Sequence, residues 1–71
     1  MPPLRDLRLQ QALSQRDLAV QARVAAKTIV DVELGRVEPT LKTIRKLASA
    51  LGVEPREVDE FQRAIEAKVA A

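Results

Sequence analysis

The sequence contains no cysteine and no histidine, and these two absences narrow the chemistry open to it. They remove the usual zinc ligands, any disulfide framework, a thiol nucleophile and the commonest general base. Catalysis would have to rest on carboxylates, serine or lysine alone. We therefore expect no enzyme, no cofactor and no metal site.

Long apolar runs are missing as well. No segment approaches the roughly 20 apolar residues that a membrane-spanning helix needs. The first residues, Met-Pro-Pro-Leu-Arg-Asp, lack the apolar stretch of a signal peptide. We expect no membrane partner and a cytoplasmic location. At 71 residues the sequence predicts a single domain, near the lower limit for a core that is stable without disulfides or metal.

The net charge is only +2, but the charges are distributed unevenly. Residues 1–53 hold nine basic and five acidic side chains, whereas residues 54–71 hold three basic and five acidic ones. A cationic body with an acidic end is expected if the body faces phosphates. The alternative is that scattered charges only keep a small domain in solution, and charge alone does not decide between the two.

Apolar residues recur at three- and four-residue spacing and the breaks fall at proline and glycine, which predicts an all-α domain. We predict five helices, over residues 3–11, 15–22, 26–34, 41–51 and 55–70. The last one begins at Pro55, since proline is tolerated in a first turn, and forms an extended C-terminal helix. The expected core consists of Leu4, Leu7, Leu18, Ile29, Ile44, Leu47 and Leu51.

The second and third predicted helices are separated by only a few residues, which is the pattern of a helix-turn-helix. Ser14 can cap the first of the two, and Asp17 places a carboxylate against the same positive helix end. The second ends at Gly35, a residue that readily takes the left-handed conformation just past a helix. This pattern points to DNA.

Five segments, in order, resemble the phage repressor and Cro family of helix-turn-helix domains, often called the XRE family. They are Leu-Arg-Asp-Leu-Arg at 4–8, Leu-Ser-Gln-Arg-Asp-Leu-Ala at 13–19, Thr-Ile-Val-Asp-Val-Glu-Leu-Gly at 28–35, Glu-Pro-Thr-Leu at 38–41 and Leu-Ala-Ser-Ala-Leu-Gly-Val at 47–53. The resemblance covers residues 1–60 and implies a five-helix lambda-repressor-like bundle. It further implies that the third helix enters the major groove of double-stranded DNA.

Three residues depart from the family's pattern. Ala12 and Arg23 stand where the family usually has glycine, and Ala25 stands where it has a capping serine or threonine. A lost cap or a left-handed residue other than glycine costs about 1 kcal/mol. We expect the fold to survive these changes, with the start of the third helix looser or shaped differently.

The resemblance places the contacts with base edges at Ala26, Lys27 and Asp31. A lysine can donate to guanine O6 and N7, an aspartate can accept from cytosine N4, and an alanine methyl can meet a thymine methyl. The alternative for Asp31 is a solvated carboxylate that tolerates or repels DNA.

The same resemblance places contacts with the sugar–phosphate backbone at Gln15, Thr28, Arg36 and Lys42, and the start of the fourth predicted helix adds Thr40. Such contacts need only a cation or a free N–H group at the right place. The free N–H groups that follow Thr40 offer an anion site at a helix end. Each residue taken alone is equally consistent with an ordinary surface side chain, and the prediction depends on the set.

Arg8 and Glu33 lie on the inward stripes of the first and third predicted helices, and buried charges need partners. Members of the family pair these two positions. The resemblance therefore implies a structural ion pair that orients the third helix and does not contact DNA.

An apolar stripe follows the C-terminal helix, where Val58, Phe61, Ile65 and Val69 are spaced three, four and four residues apart. One alternative is that this stripe packs on the domain's own core. We favour a dimer interface, because a repressor of this kind needs two copies to read two half-sites.

These observations predict sequence-specific binding of double-stranded DNA by a homodimeric transcriptional regulator. The alternative is a helix-turn-helix that binds other proteins, such as an antitoxin or adaptor domain. The apolar and acidic residues Val30, Asp31 and Leu34 on the third helix are the feature that favours this alternative.

Overall fold

The computed structural model describes residues 2–70, and within them it contains five α-helices, one 3₁₀ turn and no strand. The helices are α1 (Leu4–Gln10), α2 (Gln15–Ala22), α3 (Ala26–Glu33), α4 (Leu41–Leu51) and α5 (Asp59–Ala70), with the 3₁₀ turn at Pro55–Glu57. The predicted all-α bundle is confirmed.

The ends of α2 and α4 are set by local hydrogen bonds. The backbone N–H of Asp17 donates to Ser14 Oγ at 2.9 Å, and the backbone N–H of Ser14 donates to Asp17 Oδ2 at 3.0 Å. This reciprocal pair is a capping box, which satisfies two backbone donors at the start of α2. At α4 the backbone N–H of Thr43 donates to Thr40 Oγ1 at 3.2 Å, and Gly52 ends the helix with a φ of 70°.

The departures from the family's pattern have visible consequences. Ala12 has a φ of 58° and Arg23 a φ of 59°, so both adopt the left-handed conformation that glycine takes more easily. Ala25 precedes α3 without any side-chain hydrogen bond to the helix. Ala12 and Arg23 therefore form these turns in a conformation that is strained for residues other than glycine.

Side chains from all five helices meet in one core. α2 packs against both α3 and α4. The buried apolar side chains are Leu4, Leu18, Ala19, Ala22, Ile29, Val32, Ile44, Leu47, Ala48, Leu51, Val58, Phe61 and Ala64. Leu7, which the sequence placed in the core, is only partly buried and packs against it.

The predicted C-terminal helix over residues 55–70 is wrong at its start. Val58 is extended, with a φ of −106° and a ψ of 125°, and separates the 3₁₀ turn from α5. The backbone N–H of Asp59 donates to the carbonyl of Pro2 at 2.9 Å, and the backbone N–H of Leu4 donates to Glu60 Oε1 at 2.7 Å. The break at Val58 thus lets the start of α5 bind the N-terminal segment.

The predicted dimer stripe is corrected by the same arrangement. Val58 and Phe61 are fully buried in the domain's own core, so neither is available to a partner. Ile65 is half-buried and packs against that core. Only Val69, whose exposed fraction is 80%, lies free on the surface.

Candidate nucleic-acid interface

The end of α3 is shaped by Gly35, which has a φ of 73°. The backbone N–H of Gly35 donates to the carbonyl of Val32 at 3.1 Å, and that of Arg36 donates to the carbonyl of Asp31 at 2.8 Å. These two bonds form a Schellman motif, which turns the chain back over the last helical turn. Arg36 is thereby held next to Asp31.

Asp31 stands between two cations of the chain. Lys27 Nζ donates to Asp31 Oδ2 at 2.6 Å, and Arg36 Nη1 lies 3.7 Å from Asp31 Oδ1. The hydrogen bond from Lys27 holds the pKa of Asp31 below its ordinary value; burial opposes this shift, and the charges of Lys27 and Arg36 reinforce it. We call these three residues the α3 charge cluster.

The structure does not leave the Asp31 carboxylate free for the predicted contact with a cytosine edge. The residue is only 7% exposed, and both of its oxygens face cations of its own chain. The alternative of a solvated carboxylate is wrong for the same reason. Lys27 and Asp31 are four residues apart, a spacing at which helical side chains meet, and this was the signal in the sequence for their pairing.

The opposite side of α3 is fixed by Glu33. Arg8 Nε donates to Glu33 Oε2 at 2.7 Å, and Arg8 Nη2 donates to Glu33 Oε1 at 3.1 Å. Arg8 Nη1 also donates to the carbonyl of Leu13 at 2.8 Å, and Gln15 Nε2 donates to Glu33 Oε1 at 3.2 Å. The two residues predicted to pair do so, and Gln15 joins them. This network connects α1, the start of α2 and the end of α3.

The remaining predicted contact residues lie on two elements. Ala26 is exposed and Thr28 half-buried in the first turn of α3. Thr40 and Lys42 are exposed at the beginning of α4. Lys42 shares a shallow groove with Arg45, Lys46 and Ser49. Exposed cations and helix ends therefore occur at the end of α3 and at the start of α4.

Within residues 2–70, no helix has the length and apolar character required to cross a membrane. The same part of the chain contains no group of three or more His, Cys, Asp or Glu residues placed to hold a metal ion.

The helix-turn-helix profile matches residues 4–58, which is most of the chain. The chain belongs to the helix-turn-helix family. The matched segment includes α1 to α4 together with the Arg8–Glu33 network, and the resemblance to the repressor and Cro domains is confirmed.

A curated relative is similar over much of the same segment. The chain is 38% identical over 50 residues to the HTH-type transcriptional regulator DdrOP3 of Deinococcus deserti, an alignment that covers 70% of this chain and 39% of the relative. This chain therefore corresponds to less than half of the relative's length. No solved structure matches the chain. Family and relative together support a DNA-binding regulator.

Proposed function

We propose that this chain binds double-stranded DNA in a sequence-specific manner, as a homodimeric transcriptional regulator with α3 in the major groove and no cofactor. The observation that carries the proposal is the arrangement around α3. The buried Arg8–Glu33 network fixes the helix on one side, while Lys27 on the helix and Arg36 just past its end extend into solvent. A helix that is fixed from behind and cationic in front suits a groove lined by phosphates.

We assign the contacts with base edges to Ala26 and Lys27, in the first turn of α3. Lys27 has an exposed side chain, and its ammonium group keeps two N–H donors after one is given to Asp31. Guanine presents two acceptors, O6 and N7, on its major-groove edge. Ala26 is exposed beside Lys27 and offers a methyl group to a thymine methyl.

We assign the contacts with the sugar–phosphate backbone of DNA to residues around this turn. Arg36 and Lys42 supply exposed cations, one just past α3 and one in the first turn of α4. Thr40 and Thr28 lie at the starts of α4 and α3, where backbone N–H groups favour a phosphate. Gln15 donates to Glu33 with one N–H of its amide and keeps a second for a phosphate.

The proposed dimer surface keeps Ile65 and Val69 of the predicted stripe and replaces the buried Val58 and Phe61 with Leu41 of α4. Leu41 and Ile65 line one shallow groove between α4 and α5, and Val69 follows one turn later on α5. Leu41 is 52% exposed and Val69 is 80% exposed, so this surface presents apolar side chains to solvent. We assign it to a second copy of the chain, because a two-fold symmetric DNA site requires two copies in a self-complementary contact.

Selection of bound duplexes from a random pool tests the function directly. We expect an enriched palindrome with guanine at one position of each half-site. Affinity should fall steeply with salt, with a log–log slope of about −4 if Arg36 and Lys42 of both subunits each neutralise one phosphate. Failure to bind any duplex at low salt would favour the protein-interaction alternative. Exposed Leu34 and Val37 support that alternative, whereas Asp31, being enclosed, no longer does.

Sedimentation tests the dimer. The variant Val69→Ser should weaken self-association and cooperative binding to the palindrome while leaving the fold intact. Val20→Ser is the matched control, since Val20 is 72% exposed on α2, a helix that does not line the groove of Leu41 and Ile65. Equal effects of the two variants would refute this interface.

A further inference from the structure

Asp31 is buried although it lies on the helix proposed to enter DNA. The exposed fraction of its side chain is 10%, against 83% for Lys27 and 66% for Arg36, which it faces. A carboxylate in this position has little exposed surface with which to contact DNA directly. Its two oxygens instead divide between two cations on the side that meets DNA, the nearer at 2.6 Å and the other at 3.7 Å.

We infer that Asp31 is a positioning residue for sequence readout: its carboxylate holds Lys27 and Arg36 so that Lys27 presents two N–H donors to a guanine edge. This inference rests on the proposed DNA binding and names the residue that makes such binding selective. In this inference Asp31 acts through Lys27 and Arg36 and does not itself accept a hydrogen bond from cytosine N4.

The physical reason begins with the flexibility of lysine. Its ammonium group lies at the end of a four-carbon stem, and fixing such a side chain on binding costs conformational entropy. The contact with Asp31 fixes part of the Lys27 side chain before DNA arrives. A fixed donor pair matches the spacing of guanine O6 and N7, while other base edges present a different pattern.

Arg36 is held from two sides. The Schellman motif at Gly35 fixes its backbone over the last turn of α3, and Asp31 Oδ1 faces its guanidinium group. The guanidinium group has five N–H donors in a planar fork, so the outer ones remain open to a phosphate. Asp31 thereby sets the distance between the base-reading and phosphate-binding cations.

The same carboxylate reduces the attraction of α3 for phosphates in general. It cancels one of the two positive charges in the α3 charge cluster, and attraction to phosphates does not depend on sequence. Loss of Asp31 should therefore act in opposite directions on two DNAs. Binding to the preferred site should weaken because Lys27 is no longer held, whereas binding to unrelated sequences should strengthen.

The variant Asp31→Asn tests this, with dissociation constants measured for the selected duplex and for a scrambled duplex of equal length. We expect binding to the selected duplex to weaken about threefold to tenfold, as loss of preorganisation of one long side chain would give. Scrambled DNA should bind more tightly and give a steeper salt dependence. The control is Glu66→Gln, which makes the same charge change on exposed Glu66 of α5 and should leave the ratio of the two affinities unchanged.

Two further variants separate geometry from charge and from folding. Asp31→Glu keeps the charge but displaces the carboxylate, so it should weaken the selected duplex without strengthening the scrambled one. In a Lys27→Ala background, Asp31→Asn should have no further effect on base preference if it acts through Lys27. A thermal midpoint for each variant shows whether the domain is folded.

Several outcomes would overturn the inference. Equal strengthening for both duplexes would mean that Asp31 only repels DNA, and equal weakening with a lower thermal midpoint would mean that it only stabilises the domain. An unchanged affinity ratio in Asp31→Asn and Asp31→Glu would overturn positioning while leaving DNA binding intact. Absence of wild-type binding to every duplex would refute the proposed function and the inference with it.

Discussion

Two carboxylates of α3, Asp31 and Glu33, are two residues apart and are used in different ways. Glu33 pairs with Arg8, and both side chains are almost fully enclosed, at 5% and 8% exposure. Asp31 is equally enclosed, but its partners Lys27 and Arg36 extend into solvent. Because two residues correspond to a little more than half a helical turn, the two carboxylates face nearly opposite sides of the helix.

The two carboxylates differ in whether their cationic partner is buried or exposed. A buried pair with both partners enclosed is costly to desolvate and becomes strongly destabilising when one partner is removed. A pair with an exposed cation is screened by water and contributes little to stability. We therefore expect Glu33 to control whether α3 is held in the domain, and Asp31 to control how α3 meets its ligand.

The largest effect is expected from Glu33→Ala. It removes both carboxylate acceptors of the buried Arg8 guanidinium, which keeps only the carbonyl of Leu13, and it removes the partner of Gln15 as well. Breaking a buried pair from one side costs about 3–5 kcal/mol, a large share of the stability of a small domain. Thermal or urea unfolding should show a strongly reduced stability, and Glu66→Gln should not.

Arg8→Ala should be similarly harmful, since it leaves the Glu33 carboxylate without a cation and with only the hydrogen bond from Gln15. Replacing both residues by methionine should recover a substantial part of the loss, because no unpaired charge remains. An unchanged midpoint in both single variants would show that the two groups are solvated, and the contrast with Asp31 would then disappear.

The second effect concerns DNA affinity. Lys27→Ala should cost about 1–3 kcal/mol on the selected duplex and relax the preference at one base position. Arg36→Ala should weaken all duplexes alike and reduce the salt slope by about one per subunit. Binding titrations on selected and scrambled duplexes at several salt concentrations separate the two. Uniform loss in both variants would show that Lys27 binds phosphate instead of a base.

A third prediction concerns the N-terminal end of α3, where no side chain caps the helix. Ala25→Ser should supply an acceptor for a free N–H and stabilise the domain by about 1 kcal/mol. Arg23→Gly should give a gain of similar size, because the left-handed turn at this position suits glycine. Unfolding experiments measure both, and Ala67→Ser on the exposed face of α5 is the control. A loss of stability would mean that the turn relaxes around the present residues.

Sequence patterns predicted the features that depend on neighbours in the chain. The bounds of α2 and α4 follow from the caps at Ser14 and Thr40 and from residues that end helices, and these lie within a few residues of what they control. The start of α5 was mispredicted because it depends on hydrogen bonds from distant parts of the chain. Asp59 meets Pro2, and Glu60 meets Leu4, only after the domain has folded.

In the candidate nucleic-acid interface, too, the sequence did not predict contacts that form only on folding. Helical periodicity placed Asp31 on the outer face of α3 but did not predict that Arg36, beyond the helix, would turn back and enclose it. Phe61 lies on a terminal apolar stripe, and periodicity identifies such a stripe without saying what covers it. Phe61 is fully buried, and α5 begins only after the extended residue Val58, a break that periodicity did not predict.

The smallest effect is the pH dependence of the contribution of Asp31 to stability. Its native pKa is lowered, chiefly by the hydrogen bond from Lys27. The unfolded value is about 3.9. The stabilisation is therefore fully present above that value and is lost as the pH falls through the lower native pKa, because protonation removes the charge that the cations favour.

Comparing wild type with Asp31→Asn by urea unfolding from neutral pH downward isolates this contribution. We expect a small difference in unfolding free energy at neutral pH that closes below the native pKa of Asp31. Asp17 also has a lowered pKa, chiefly because of the backbone hydrogen bond from Ser14, and its contribution is lost in the same direction. That contribution is common to both proteins and cancels in the comparison. A difference that stays constant down to the lowest pH would show that Asp31 stabilises through packing, and the contrast with Glu33 would then be one of degree.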